Sequence, residues 1–366
     1  MKWKTIRKGE VNPFIFSRLL VTNDILCIGV HREFVALNTS TGKEKWSVKQ
    51  IPLYPCGAIQ ASVSTTPIKY KDLVYTNIAG YMVAFDINTG KEKWRFEAGS
   101  NIYSSPIIKN GLIYFGASGL PMVEMISGII FQPKIKKFQT DQAYLFAIDA
   151  KTGKQKWRFK TKGEIRSSPA IYNDVLYFGG HAGLYALNIE NGKQKWLFKT
   201  ANRGIFGSPI VSKGTIYVGA RDNNFYAIDA KTGKEKWKFY TRDSIASGVG
   251  AVISNNTIYF GTTDNFYALD TKTGKKLWEF KTYGDITTPI IEDSVVYFGA
   301  GDNVYGLGLA TGEKRFFFRT GEKNARISGP VIVNDVMYIG FNKTICAISI
   351  DNPIYNVLKK MGKKNL

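Results

Sequence analysis

One short phrase recurs along the chain and constrains its fold more than any other feature. It reads TGKEKW at 41–46, 89–94 and 232–237, with the variants TGKQKW at 152–157, NGKQKW at 191–196, TGKKLW at 273–278 and TGEKRF at 311–316. The aromatic residues that end these phrases are 48, 63, 39, 41, 41 and 38 residues apart. A fixed period near 40 residues predicts a chain built from copies of one unit that pack side by side.

Each unit has the same internal order of β-rich segments and turns. A segment such as GSPIV (207–211) is followed by a polar turn and a run that ends in glycine, such as TIYFG (257–261). A segment such as FYAL (266–269) comes next, and a D-x-x-T-G turn leads into the Trp run. Tyr, Phe, Ile and Val dominate these segments, which is typical of strands. The pattern predicts four short strands per unit and an all-β fold.

Four strands in about 40 residues are typical of a propeller blade. Eight segments of the FYAL type begin near Phe34, Met82, Leu145, Leu184, Phe225, Phe266, Val304 and Ile345. The last unit (329–349) has no Trp run after it, whereas Trp3 precedes the first unit. We therefore predict an eight-bladed β-propeller of four-stranded antiparallel blades, rather than seven blades, with the ring closed by the N-terminal strand. The domain is predicted to span 1–353, with 354–366 as a basic tail.

The repeated motif, seen as AIDAKTGKQKW (147–157) and AIDAKTGKEKW (227–237), resembles the PQQ-like (pyrroloquinoline quinone-like) repeat family. That family includes quinoprotein dehydrogenases, BamB-type assembly proteins and propellers appended to kinases. The resemblance implies that the recurring aromatic residue packs between neighbouring blades. In this sequence those residues are Trp3, Trp46, Trp94, Trp157, Trp196, Trp237, Trp278 and Phe316. The motif departs in the last two blades, where Gly308 and Ser349 stand in place of Asp.

The recurring Asp and Lys residues of the turns have a structural and a functional interpretation. Asp86, Asp149, Asp229 and Asp270 recur with the turn rather than at one place, so we interpret them as acceptors for the turn backbone and not as catalytic acids. The chain has 50 Lys+Arg against 29 Asp+Glu, a formal net charge of +21. Much of that charge lies in the TGKEK turns. The turns are either a solvated surface or a binding surface for polyanions such as nucleic acid.

Two segments interrupt the repeat: 50–64, between two blades, and 120–142, between the second and third strands of the third blade. Both are predicted to lie on one face, opposite the lysine turns, where binding residues concentrate. The second segment is either a docking element or a lid over the blades. The predicted partner-binding residues are Met122, Met125, Ile129, Ile130, Phe131, Arg166, Arg203 and Arg326. Asp243, Asp285 and Lys323 are further candidates at the channel mouth.

The resemblance also implies a possible cofactor, pyrroloquinoline quinone with calcium. In the dehydrogenases of the family the quinone stacks on a Trp at the channel mouth, and acidic and amide side chains hold Ca²⁺. Here the blade motif uses all seven Trp, and no acidic cluster is evident on that side. His31 and His181 lie three blades apart, too distant to share a metal. We therefore predict no catalytic residues, no cofactor and no metal, with a quinoprotein dehydrogenase as an alternative.

The remaining expectations concern compartment and partners. The N-terminal MKWKTIRKGE has no apolar stretch behind its positive start, and no apolar run is long enough to span a bilayer. We expect a cytoplasmic protein, or an envelope protein if a leader has been removed. Three Cys are too few for a disulfide framework. The sequence predicts a monomeric, non-catalytic scaffold that binds a protein partner through the face carrying 50–64 and 120–142. Non-specific binding of polyanions is the alternative.

Overall fold

The computed structural model describes residues 1–6, 19–22, 24–30, 33–48, 65–78, 80–118, 142–200, 204–245, 248–322, 327–342 and 344–350. The regular structure in this part of the chain consists of 32 strands in eight sheets, each with four antiparallel strands. The all-β, eight-bladed propeller predicted from the repeat is therefore confirmed. No helix that could cross a membrane occurs among these residues.

The strands are numbered along the chain, and each blade is a sheet that runs from a first strand to an outermost fourth strand. The first strands are β2 Leu20–Val21, β6 Ile68–Tyr70, β10 Ile107–Lys109, β14 Ala170–Tyr172, β18 Ile210–Ser212, β22 Val252–Ser254, β26 Ile290–Glu292 and β30 Val331–Val333. The second strands are β3 Ile25–Val30, β7 Leu73–Ile78, β11 Leu112–Ala117, β15 Val175–Gly180, β19 Thr215–Gly219, β23 Thr257–Gly261, β27 Val295–Ala300 and β31 Val336–Phe341.

The outer half of each blade is a hairpin that is joined by the D-x-x-T-G turn or its variants. The third strands are β4 Glu33–Asn38, β8 Tyr81–Asp86, β12 Gln142–Asp149, β16 Gly183–Asn188, β20 Asn224–Asp229, β24 Asn265–Asp270, β28 Asn303–Gly308 and β32 Thr344–Ser349. The fourth strands are β5 Glu44–Val48, β9 Glu92–Glu97, β13 Gln155–Lys162, β17 Gln194–Phe198, β21 Glu235–Tyr240, β25 Lys276–Lys281, β29 Lys314–Arg319 and, in the last blade, β1 Trp3–Ile6. Blades 1 to 8 begin with β2, β6, β10, β14, β18, β22, β26 and β30.

The ring closes through the N-terminal strand, as the sequence predicts. β1 pairs antiparallel with β32, and Trp3 lies opposite Ala347. The first strands of blades 8 and 1, β30 and β2, are in contact. Two sequentially distant ends of the chain thus share one sheet, which removes the open seam that a linear array of blades would leave.

Apolar faces of neighbouring blades form the core between them. The second and third strands are buried almost throughout, whereas side chains on the fourth strands alternate between buried and exposed positions. Aromatic rings stack across the blade interfaces: Phe225 on Phe260 at 3.8 Å between centroids, and Phe266 on Phe298 at 4.0 Å. Burial of these faces holds each blade against the next, so the core is distributed around the ring.

Hydrogen bonds between connecting segments define two faces of the ring. On the turn face, the backbone N–H of Ile189 donates to the carbonyl of Asp174. Ile189 directly follows Asn188, which takes the Asp position of the D-x-x-T-G turn, and Asp174 lies in the turn between the first and second strands of the same blade. On the loop face, Ile205 in a blade-to-blade connection donates to Gly180 at the end of a second strand. Ser118 and Gln142, which flank the segment between β11 and β12, lie at the loop-face ends of their strands. The segments 50–64 and 120–142 fall outside the described residues, apart from Gln142, as does the tail 354–366.

The Asp residues of the repeat stabilise their own turns. Oδ1 of Asp270 accepts hydrogen bonds from the backbone of Lys272 at 3.1 Å and from the backbone and hydroxyl of Thr273 at 2.8 and 2.7 Å. Asn38 and Asn188 do the same with an amide oxygen. The recurrence of this bond pattern around the ring confirms that these side chains accept hydrogen bonds from the turn backbone.

Candidate functional site

All seven Trp residues lie between blades, where each packs on the glycine of the next blade's turn. The indole Nε1 of Trp94 donates to the carbonyl of Ala150 at 3.0 Å, and five other Trp residues make the equivalent bond. The ring of Trp196 lies against Gly233, but its buried Nε1 has no acceptor among the described residues. The structure therefore places every Trp between neighbouring blades, as the resemblance implies, and close to the turn face. Phe316 takes the same position in blade 7, where it contacts Tyr297 at 5.7 Å.

Small hydroxyl side chains link the first strands around the central channel. The backbone N–H of one blade donates to the hydroxyl of the next through Thr66 to Ser105 (2.9 Å), Ser105 to Ser168 (2.9 Å), Ser168 to Ser208 (3.0 Å) and Gly250 to Thr288 (2.9 Å). In blade 6 a carbonyl replaces the hydroxyl, since Ser208 donates to Val249 at 3.1 Å. We call the hydroxyl groups of Ser105, Ser168, Ser208 and Thr288 the hydroxyl belt. Its hydrogen bonds fix the channel wall that supports the loop-face residues.

The segment that follows β11 is tied to blade 4 at its first residue. The hydroxyl of Ser118 donates to the carbonyl of Ile165 and accepts from its N–H, both at 3.1 Å. Ile165 in turn covers Gly116, where a Cβ would lie 2.4 Å from the isoleucine side chain. Ser118 and Arg166 are therefore held side by side on the loop face.

Arg166, a predicted site residue, has defined partners on this face. Its Nε donates to Oε2 of Glu164 at 2.7 Å, and its guanidinium lies 5.2 Å from the ring centroid of Tyr103 in blade 3. The hydrogen bond from Arg166 holds the pKa of the Glu164 carboxyl below its usual range, and charges on Arg166, Arg221 and His181 add to that effect. The side chain of Arg166 remains 38% exposed. It is therefore oriented but still accessible to a partner.

A second arginine on an aromatic ring lies in the next blade. The guanidinium of Arg221, which follows β19, stands 4.7 Å from the ring centroid of the buried Phe206. Gly248 reaches the same area from the connection into blade 6, where its N–H donates to the Phe206 carbonyl at 2.7 Å. We call Tyr103, Glu164, Arg166, Phe206 and Arg221 the loop-face cluster. Sequence reasoning named only Arg166 of these five.

Other predicted residues are not drawn into this cluster. Asp243 accepts a short hydrogen bond from the amide of Asn265 in blade 6, and Asp285 is exposed. His181 is exposed on the loop face, where its ring lies against Gly163. The remaining candidates lie outside the described residues: Met122, Met125, Ile129, Ile130, Phe131, Arg203, Lys323, Arg326 and His31.

Lysines of the turn face pair with neighbouring carboxylates in several blades. Lys45 lies 2.7 Å from Asp24, Lys93 lies 3.5 Å from Asp86, and Lys236 lies 3.9 Å from Asp229. These exposed pairs neutralise part of the basic rim, and each stabilises the fold only slightly. Polyanion binding by this rim stays a prediction.

The repeats match the sequence profiles of known propeller proteins. Residues 141–247 and 242–352 match the sequence profile described as outer membrane protein assembly factor BamB, and together they span more than half of the chain. The chain belongs to the PQQ-like β-propeller family. Residues 53–167 match a second profile, described as the β-propeller domain of glucose, ethanol and alcohol dehydrogenases. A search of curated protein sequences gives no match.

Solved structures of PQQ-like propellers and other rings share the architecture. BamB from Moraxella catarrhalis is 17% identical, with a TM-score of 0.70 over 96% of this chain and 98% of that chain. The computationally designed Ika8 protein is 16% identical, with a TM-score of 0.72 over 94% and 98%. Quinohemoprotein alcohol dehydrogenase ADHIIG from Pseudomonas putida HK5 is 13% identical, with a TM-score of 0.70 over 93% and 71%. At these identities the likeness is one of fold.

The described residues of the channel mouth do not fit the cofactor of the dehydrogenase branch. Each Trp is enclosed between blades near the turn face, so none can stack on a quinone at the loop face. Glu164 and Asp243 are already engaged by Arg166 and Asn265. Within the described ranges, the three carboxylates close enough to share a cation belong to Glu292, Asp293 and Asp335, in turns of the opposite face. The described residues of the channel mouth therefore do not assemble the 6–8 oxygen ligands that Ca²⁺ takes.

Proposed function

We propose that this PQQ-like propeller is a non-catalytic scaffold that binds a protein partner through its loop face. The observation that carries the proposal is the loop-face cluster. Arg166 and Arg221 are each stacked on an aromatic ring, and both keep exposed polar groups. Arginine and tyrosine are enriched among residues that contribute most to protein interfaces.

The rigidity of the cluster supports this role. The hydroxyl belt fixes the channel wall, and Glu164 and Tyr103 hold Arg166 in one orientation. A side chain that is oriented before binding loses less conformational entropy when a partner orders it. The likeness to BamB, whose profile is described as an assembly factor, is consistent with a binding role. The residues that the structure describes at the channel mouth do not offer a quinone a Trp to stack on.

The proposal is tested by affinity capture from nuclease-treated native lysate at low and high salt, with bound proteins identified by mass spectrometry. Four proteins are compared: the intact chain, a deletion of 120–141, the variant R166A/R221A, and the turn-face control K93A/K236A. We expect one discrete partner that survives high salt, is retained by the control and is lost in the cluster variant. Loss with the deletion as well would extend the docking surface to the insertion.

Two outcomes would contradict the proposal. Capture of only salt-labile, nuclease-sensitive material that the turn-face control loses would move the function to the basic rim. A dye-reduction assay with an alcohol or a sugar tests the alternative. Activity that depends on added pyrroloquinoline quinone and Ca²⁺ would establish that the protein is a quinoprotein dehydrogenase.

A further inference from the structure

The outermost strand of blade 3 differs from the other fourth strands in length and charge. β13 has eight residues, whereas the other fourth strands have four to six. Lys156, Arg158, Lys160 and Lys162 occupy every second position, and no Asp or Glu occurs between 150 and 163. All four side chains are exposed, whereas Trp157, Phe159 and Thr161 between them are shielded.

Alternation along the strand places Arg158, Lys160 and Lys162 on one face of the sheet, about 7 Å apart along the strand. Lys156 lies at a β-bulge, where the register between β12 and β13 shifts. Arg158 marks that face, because its guanidinium lies 4.7 Å from the ring centroid of Tyr144 on β12. None of the four forms an ion pair with a described carboxylate. On other fourth strands, some cations are paired: Arg95 with Glu92 at 2.6 Å and Lys276 with Glu279 at 2.6 Å. The charge on Lys156 acts on the Asp149 carboxylate, whereas Arg158, Lys160 and Lys162 form a row of like charges that an anionic partner would relieve.

The opposite face of β13 borders a groove against blade 4. The groove has a volume of about 530 Å³, and its apolar lining comes from Phe159 together with Tyr185 and Leu197 of blade 4. Lys160 and Lys162 of β13 and His181 and Lys199 of blade 4 also border it. Phe159 and Tyr185 contact edge to face at 5.7 Å. The groove thus has an aromatic and aliphatic part, which suits apolar side chains, and a basic border, which suits acidic ones.

Among the described strands, β13 pairs only with β12, so its outer edge has backbone groups that can pair with another strand. We propose that an extended segment of a partner protein adds to this edge as a fifth strand of blade 3. Acidic and apolar residues alternate in that segment. The acidic side chains lie beside Arg158 and Lys160, and the apolar side chains enter the groove beside Phe159.

Spacing and chemistry favour a peptide over other anions. Alternate side chains of an extended peptide are about 7 Å apart, the same as the cations of β13, so that one register satisfies several charges at once. A nucleic acid could meet the charges, but it could neither pair with the strand edge nor place aliphatic groups in the groove. This surface lies at the outer rim and does not depend on the loop-face cluster.

The test measures binding of a fluorescein-labelled peptide of alternating Glu and Val to the full chain by fluorescence anisotropy. We expect saturable binding by the intact protein and an affinity about tenfold weaker in R158E/K160E. The matched control K238E/K281E makes the same change of charge on the fourth strands of blades 5 and 6, and we expect its affinity to be unchanged. Thermal unfolding of each variant checks that the ring is intact, and R158Q/K160Q removes the charges without reversing them.

Three comparisons can overturn the proposal. Equal binding of a peptide with the same composition but with Glu and Val in separate blocks would show that binding does not require the alternating strand register. N-methylation removes the backbone N–H donors of the peptide, so equal binding of a backbone N-methylated peptide would show that it does not pair with the strand edge. Equal loss in both charge-reversal variants, or tighter binding of a single-stranded oligonucleotide of similar length, would reduce β13 to part of a general basic surface. None of these results depends on the loop-face partner, so the two proposals fail separately.

Discussion

Trp237 and Tyr217 share one hydrogen-bond acceptor, the carbonyl oxygen of Thr271 in the next blade. The indole Nε1 donates at 3.0 Å and the phenol hydroxyl at 3.1 Å. Thr271 follows Asp270 directly, so the acceptor belongs to the same turn that the Asp stabilises. The pair Trp94 and Tyr75 does the same with Ala150, and Trp278 and Tyr259 do so with Leu309. Turn geometry and blade contact are therefore one structural unit, repeated around the ring.

The shared acceptor predicts coupling between the two donors. Tyr217→Phe or Trp237→Phe leaves the Thr271 carbonyl with one donor, and each should cost about 1 kcal/mol of unfolding free energy. The double variant leaves that carbonyl without either donor and should cost about 1 kcal/mol more than the sum. Urea unfolding of the four proteins measures the coupling. Strict additivity would show that the two bonds act independently. Trp237→Ala, which also removes the ring, should cost about 3–5 kcal/mol.

Two glycines with the same backbone conformation allow the cost of backbone strain to be measured separately from the cost of a steric clash with Trp237. Gly274 and Gly214 both have φ of +72°, a region that disfavours residues with a Cβ. A Cβ at Gly274 would lie 2.7 Å from the ring of Trp237, whereas one at Gly214 would meet nothing within 4 Å. Gly214→Ala should cost about 1 kcal/mol. Gly274→Ala should cost about 2 kcal/mol more, because it also displaces the indole. Equal losses in thermal or urea unfolding would show that the turn glycine is not a packing requirement.

The fold could be predicted because it repeats. Each copy of the turn and Trp run repeats the same local chemistry, so errors in one unit are corrected by the next. Trp3 precedes the first unit, and the last unit has no Trp run of its own. Together these two features indicated that the N-terminal strand completes the last blade, as the pairing of β1 with β32 shows. The exceptions are also local: Gly308 has no carboxylate, yet its turn keeps the backbone bond from Gly312 to Gly308 at 2.9 Å.

The pKa values of the turn carboxylates predict how acid weakens the ring. The hydroxyl of the following Thr donates to Asp86, Asp229 and Asp270 and holds the pKa of each carboxyl below its usual value. A lowered pKa means that the stabilisation is complete above the unfolded-state value of about 3.9 and is lost as the pH falls through the folded-state value. Stability should therefore decline below about pH 4.

An amide variant isolates this effect. D86N/D229N/D270N keeps an oxygen acceptor, as Asn38 and Asn188 do naturally, but cannot be protonated in this range. Its unfolding free energy should vary less than that of the parent between about pH 4 and pH 2. Urea unfolding across that range makes the comparison. Parallel curves for the two proteins would assign the acid sensitivity to other groups.

The candidate site was harder to predict than the fold because it arises between blades. Arg166 and Tyr103 are distant in sequence and meet only when blades 3 and 4 pack. Phe206 and Arg221 carry no motif, so nothing in the sequence marks their contact. The SSP and TTP segments before the first strands can be recognised as repeats in the sequence. Their hydrogen bonds to the neighbouring blade could not be predicted, because these depend on which backbone N–H lies next to each hydroxyl in the ring. The repeat therefore predicts the blades, whereas contacts between residues outside the repeat become visible only in the structure.

Closure by β1 predicts a local effect of removing the first six residues. Cys346 on β32 lies opposite Lys4 of β1, and Cys27 lies in blade 1 at the interface with blade 2. Both thiols are buried, and burial raises the pKa of Cys27 to about 12 and that of Cys346 to about 11. In the intact protein, neither should react appreciably with iodoacetamide at about pH 8, because the reactive thiolate is scarce and inaccessible. Deletion of residues 1–6 should speed the labelling of Cys346 at least tenfold while Cys27 stays protected, as seen by peptide mass spectrometry. Equal labelling of both would mean that the whole ring unfolds, and protection of both would mean that β1 does not close it.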